Sequence, residues 1–203
     1  MSATSTPARL VAAGVVGYLV GTFPSADVAA RVARPGRDLR DEGSGNPGAL
    51  NAAAVLGRRW GLAVLGADMA KGAVAGAAGR MVAADTGAYV AATASIAGHI
   101  APVWSGFRGG KGVATSAGAC LAVFPAYFPI DAAVAAATAV TAQQAERSIQ
   151  VSCAVWTAAA VLWWRRRLPN GWGPAPGPAL AGFAAVSSAM ILAKFRASRA
   201  GVR

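Results

Sequence analysis

The stretch GVATSAGACLAVFPAYFPIDAAVAAATAVTAQQ, residues 112–144, decides where everything after it lies. Gly112 to Phe128 is apolar, Pro125, Pro129 and Asp131 break the pattern, and Ile130 to Gln144 is short for a membrane crossing, which takes about 20 apolar residues. Read as two spans, it gives the chain seven. Arg147, Lys194, Arg196, Arg199 and Arg203 then share a side with the basic loops around residues 31–48 and 106–112, against Arg165, Arg166 and Arg167 on the other. Read as one kinked span, the later residues exchange sides. Cytoplasmic loops carry the excess of Lys and Arg, which favours two spans and an external N-terminus.

Outward from that stretch, the pattern of alternating apolar runs and basic loops persists. Leu10 to about Ala30 is apolar, interrupted by Pro24 and Asp27. Arg31, Arg34, Arg37 and Arg40 follow among Asp38, Asp41 and Glu42, which predicts an aqueous segment. A short interfacial helix is expected over Asn51 to Gly57 and a span over Trp60 to Val82, with Arg80 and Asp85 bracketing a turn. Thr86 to Trp104 returns the chain, Ser148 to Trp164 crosses again, and Pro176 to Leu192 is the last span before a basic tail.

Composition agrees. Of 203 residues, 55% are hydrophobic and 13% charged, where a soluble domain carries about 25% charge. Mean hydropathy is +0.46. The apolar residues are largely Ala, Val and Gly, which permit close helix approach in lipid. The expected fold is all-α: one membrane-integral domain over residues 1–203, a polytopic bundle of about seven transmembrane helices. No internal repeat supports an inverted-repeat transporter. The net charge of +11 follows the loops and is not interleaved with aromatic residues, which argues against nucleic acid and for anionic lipid head groups. Cys120 and Cys153 lie in separate apolar runs and read as small buried hydrophobes. With one histidine and eight scattered acids, no protein-built metal site is expected. The first apolar run lacks the basic start of a cleavable signal.

Two glycine-rich islands carry the chemistry. The first is Gly43-Ser44-Gly45-Asn46-Pro47-Gly48-Ala49-Leu50-Asn51, the second Gly106-Phe107-Arg108-Gly109-Gly110-Lys111-Gly112. Glycine lets backbone N–H groups approach an anion, and Arg108 and Lys111 add charge, so the pair suggests a site for a phosphorylated substrate at the membrane surface. The same residues also make ordinary solvated turns. The second island is not a P-loop: Gly106 and Gly110 enclose three residues instead of four, and Gly112 stands where Ser or Thr belongs. Asp68 and Lys71 sit at i, i+3 within a span, so they can pair, either for function or as a structural ion pair. His99, just before the second island, is read as a base, a loop-orienting group or a buried histidine with one hydrogen bond. A soluble acyltransferase signature would place aspartate five residues after it, where Trp104 stands.

Order and spacing give the islands a further meaning. Gly43 to Asn51 resembles the Gly-Ser-Gly-Asn-x-Gly-Ala-Thr-Asn motif of the bacterial acyl-phosphate:glycerol-3-phosphate acyltransferases. Gly98-His99-Ile100-Ala101-Pro102, with Phe107 to Thr115, is similar to that family's second signature, and Asp68-Met69-Ala70-Lys71-Gly72 to its Asp-x-x-Lys-Gly element. Gly21-Thr22-Phe23-Pro24-Ser25, with Arg31, resembles the first-helix pattern, so the likeness runs from about Gly17 to Ser116.

The resemblance implies seven helices and transfer of an acyl group from acyl-phosphate to the sn-1 hydroxyl of glycerol-3-phosphate, giving lysophosphatidate and inorganic phosphate without metal or other cofactor. The setting it implies is the bacterial plasma membrane, with the site facing the cytoplasm and membrane lipids around it. It casts Ser44, Lys111 and His99 as catalytic. Gly43, Gly45, Asn46, Gly48, Asn51, Lys71, Arg108, Gly109, Gly110, Gly112 and Thr115 become binding residues. The chain departs from the family at Leu50, at Ala54 where the family carries arginine, at Gln150 where it carries serine, and at Phe195 and Ser198 where it carries His and Asn. Those departures keep open a catalytically impaired member that binds phosphate or a lipid precursor and regulates. A small anion channel is a third class, short of in-membrane charge.

Overall fold

The computed structural model describes residues 6–139 and 145–200. Gln143 and Gln144 of the deciding stretch, and Arg203, fall outside them. The described residues form an all-α bundle. It comprises α1 (Pro7–Gly21), α2 (Ser25–Ala33), α3 (Ala49–Leu56), α4 (Arg58–Ile100), α5 (Val113–Val123), α6 (Phe128–Ala139), α7 (Ala145–Arg166) and α8 (Pro178–Ala200). The expected single helix over 10–30 is broken at Thr22, Phe23 and Pro24, because proline removes a helical donor.

Helix α4 is a hairpin. Its 43 residues leave helical geometry at Ala83 and Ala84, the latter at φ 51°, and the Arg80–Asp85 ion pair at 3.0 Å brackets the reversal as the sequence suggests. The halves touch at Gly79 and Gly87, where any side chain would meet backbone. Helix α1 lies along the second half through Gly17 and Gly21, which abut Ala91 and Ser95. That is the small-residue spacing by which membrane helices approach closely.

Residues 113–139 are neither one straight crossing nor two long ones. Helices α5 and α6 have 11 and 12 residues, a rise of about 17–18 Å each, and the chain turns through 118° between them. Phe124 at the turn is fully buried and stacks on Tyr127 at 5.4 Å, with Trp163 edge-on at 5.5 Å. The last carbonyls of α5 lack helical partners. The loop after α7 supplies them: Asn170 Nδ2 donates to Val123 O (3.0 Å) and Trp172 Nε1 to Leu121 O (2.9 Å). By length and hydropathy, Pro7–Ala33 and Pro178–Ser198 qualify as spans, and the bent pair adds a third if taken as one. The first half of α4 falls short because Asp68 and Lys71 lie within its apolar stretch and lower its hydropathy.

Candidate active site

The two islands meet. Arg40, just ahead of the first, donates from Nε to Arg108 O of the second at 2.8 Å, and a Cβ on Gly110 would stand 3.2 Å from Pro47 O. Below them opens a cavity of about 120 Å³, lined by the α1–α2 break, Asp27, Arg31, Arg40, Lys71, His99, Trp104, Gly109 and Gly110. One water needs about 10–15 Å³ of such volume, so the cavity holds on the order of ten water-sized bodies. That suits a small phosphorylated polyol and excludes a long acyl chain.

Beneath the cavity, Asp68 is buried and gathers three groups on one carboxylate oxygen. Lys71 Nζ is 2.9 Å away, His99 Nδ1 stands at 3.6 Å, and Ser25 Oγ donates to it. At 3.6 Å the histidine is in electrostatic contact and not in a formed hydrogen bond. Lys71 also donates to Phe23 O (3.1 Å), a carbonyl exposed by the α1–α2 break. An ammonium has three donors, so one remains for the cavity. Of the His99 ring, Nδ1 faces Asp68 and Nε2 lies against Gly110.

Arg40 organises the upper wall. Its guanidinium takes Asp27 with both nitrogens (2.7 and 3.2 Å) and Asp38 at 3.0 Å. Burial alone would raise the Asp38 carboxyl. The hydrogen bonds and charge of Arg40, aided by Arg108, outweigh it and hold Asp38 below its usual range. Burial works against the Arg40 charge too, and Asp27 and Asp38 more than compensate.

Of the residues expected from sequence, Lys71, His99, Gly109 and Gly110 line the cavity. Asn51 instead holds the first island together. Its Nδ2 donates to Leu39 O (2.9 Å) and Glu42 O (3.0 Å), and its Oδ1 accepts from Ser44 N (2.8 Å). Gly43, at φ 58°, has no room for a Cβ beside Asn51 Oδ1, and Gly45 at φ 67° is likewise left-handed. Ser44 and Arg108 are exposed, Asn46 and Lys111 half-buried, and Gly48 and Gly112 buried. The Lys111 ammonium lies 4.4 Å from the centroid of Phe195 on α8. Thr115 is fully buried against Gly72 of α4 and does not face the cavity.

The backbone nest needs correcting. Ser44 N donates to Asn51, Gly45 N to Glu42 O and Gly48 N to Asn46 O. Gly109 N donates to Ile100 O and Gly110 N to His99 O. These groups tie the loops to the bundle, because a partly buried loop must satisfy its own donors. The cations on the cavity lining are Arg31, Arg40 and Lys71, of which Arg40 pairs with Asp27 and Lys71 with Asp68. Sequence reasoning missed Ser25, Asp27 and Arg40, and Trp104, whose Nε1 donates to Thr22 Oγ1 at 3.0 Å over the cavity.

The family model for glycerol-3-phosphate acyltransferase matches residues 11–201. A glycerol-3-phosphate acyltransferase of Synechococcus elongatus is 44% identical over 125 residues, 57% of this chain and 59% of that protein. One of Cereibacter sphaeroides is 46% identical over 114 residues, 56% of each. The chain thus spans less than two thirds of the length of the curated relatives it matches. Among solved structures, PlsY (YgiH), an integral membrane glycerol 3-phosphate acyltransferase, is similar in its glycerol 3-phosphate form. The TM-score is 0.77 at 26% identity, covering 95% of this chain and 91% of that one. Its lysophosphatidic acid form gives 0.73 at 25% over the same shares.

Proposed function

The chain belongs to the glycerol-3-phosphate acyltransferase family, and from that premise we propose that it transfers a fatty acyl group from acyl-phosphate to the sn-1 hydroxyl of glycerol-3-phosphate. The products are lysophosphatidate, for phospholipid synthesis, and inorganic phosphate. The observation that carries this reading is the meeting of the two islands over a small cavity lined by Arg31, Arg40, Lys71 and His99. Acyl-phosphate is a mixed anhydride, already activated, so no protein nucleophile is needed. The hydroxyl oxygen attacks the acyl carbon, the carbon–oxygen bond to phosphate breaks, and the phosphate leaves with the bonding pair. The hydroxyl proton passes to a phosphate oxygen or to His99 Nε2. Positioning two phosphates and stabilising the departing charge are the work left to the protein. Glycerol-3-phosphate takes the cavity. Ser44, Lys111 and Arg108 take the donor at the rim, and the acyl tail lies among the helices. We place the site on the cytoplasmic face of the bacterial plasma membrane, where the basic loops belong.

Purified protein in lipid vesicles is expected to form lysophosphatidate from acyl-phosphate and glycerol-3-phosphate, and Lys111→Ala to abolish it. Absence of product from the wild-type protein overturns the reading. A phosphate-binding, non-catalytic member is favoured by Ala54, exposed on α3 without the family's arginine. It is recognised by stabilisation with inorganic phosphate and no turnover.

A further inference from the structure

Phe195 stands where the resembled family has histidine, and its ring covers the Lys111 ammonium at 4.4 Å. The ring packs against the aromatic core cluster, as Ile100 does from the end of α4, so its position is fixed by the bundle and not by the loop it meets. A cation over an aromatic face is attracted by the ring quadrupole and gains in order without losing its charge. One residue earlier, Lys194 is half-buried and lies within electrostatic reach of Arg40, Lys111 and His99. Lys194 has no ion pair among the described residues. It precedes the end of α8 at Ala200 by more than a turn, beyond the stretch where a cation serves the helix dipole. Cations from the first loop, the second island and α8 therefore converge from distant parts of the chain. Arg40 already has Asp27 and Asp38 as counter-ions, so the repulsion that an anion would relieve is the one between Lys111 and Lys194. Ile100 lies beside Gly112, the residue after Lys111, and belongs with Ile191 and Phe195 of α8 to one apolar cluster; apolar surface next to these cations suits an anionic head on an apolar tail, whereas the cavity lined by Arg31, Arg40 and Lys71 is small.

We propose specific roles for two residues of α8 in this chain: Phe195 positions Lys111, and Lys194 joins it in holding the phosphate of the acyl-phosphate donor. This rests on the acyl-transfer reading, and its test fails separately from that reading. In lipid vesicles, Lys194→Gln is expected to raise KM for acyl-phosphate about tenfold, the loss of one charged contact, with KM for glycerol-3-phosphate unchanged. Lys194→Arg restores the donor KM. Phe195→Leu is expected to raise the same constant and Phe195→Trp to restore it. Unchanged constants in Lys194→Gln, or an equal rise for both substrates, overturn the proposal. A wild-type donor KM in Phe195→Leu overturns the positioning role, and if that variant does not fold, Phe195→Trp with a raised donor KM does so. If the wild-type protein shows no turnover, the acyl-transfer reading falls and this proposal is decided by thermal unfolding in inorganic phosphate. Stabilisation of the wild type that Lys194→Gln lacks supports it; an equal shift in both, or none in the wild type, overturns it.

Discussion

Gly110 has no side chain because His99 fills the space. A Cβ there would collide with His99 Nε2, the ring nitrogen other than the one that faces Asp68. Gly110→Ala is therefore expected to leave the fold intact and lower turnover about a hundredfold, since a shift of about 1 Å at a reacting group costs that much. Product formation beside an unchanged melting temperature is the check. Asp68 presents the complementary case. It is the buried counter-ion of Lys71 and faces Ser25 and His99. Asp68→Asn leaves an uncompensated ammonium in the bundle and is expected to destabilise by about 3 kcal/mol, read by thermal unfolding in detergent. The Asp68–Lys71 pair was legible in the sequence, because i, i+3 spacing puts both on one face whatever the tertiary fold. Arg40 was not. Its partners Asp27 and Arg108 O stand 13 and 68 residues away, and no local pattern distinguishes it from the solvated arginines around it. That the islands lie at one face was legible, and the structure brings them together; their work as scaffolds was not, because side-chain composition does not show which N–H groups a loop will use on itself.

At the scale of elements, the first island depends on a loop whose ends are held electrostatically. Asp38 Oδ1 accepts from the backbone N–H and the guanidinium of Arg40, and both contacts are stronger when the carboxyl is ionised. Its pKa is depressed in the folded protein, so this contribution is fully present above the unfolded carboxylate pKa of about 3.9. It is lost as pH falls through the lower folded value. Acidification below about pH 4 is thus expected to loosen residues 37–48 before the helices melt. Amide exchange in that loop, compared with α7, measures it; equal protection at pH 3 and pH 6 overturns it. Among helices, α3 and the reversal of α4 were readable from the sequence because local charge and glycine mark their ends. The α5–α6 pair was not, since an apolar stretch with prolines describes a straight crossing, two crossings or a sharp bend equally well. What selects the bend is distant: Asn170 and Trp172 reach the carbonyls at the end of α5, and Trp156 packs on Tyr127 at 5.5 Å.

For the whole molecule, the sides follow from the helices. The first half of α4 rises about 37 Å over residues 58–82, enough to cross an apolar layer of about 30 Å even though its charges depress its hydropathy. It starts beside the first island and ends at Arg80, whose Nη1 donates to Trp172 O at 2.9 Å. The loop at 168–177 therefore marks the end of the bundle away from the islands, while Phe195 over Lys111 brings the end of α8 back to them. The bent α5–α6 pair thus leaves the later helices on the sides that the charge distribution predicts for two crossings, though neither helix is long enough for one. Labelling tests this directly. With Cys120 and Cys153 replaced by Ala, Ser44→Cys and Trp172→Cys are both at exposed positions. In sealed inverted vesicles a membrane-impermeant maleimide is expected to label Ser44→Cys at once and Trp172→Cys only after detergent, with the order reversed in intact cells. Labelling of both from the same side would mean that the α4 hairpin does not cross the membrane.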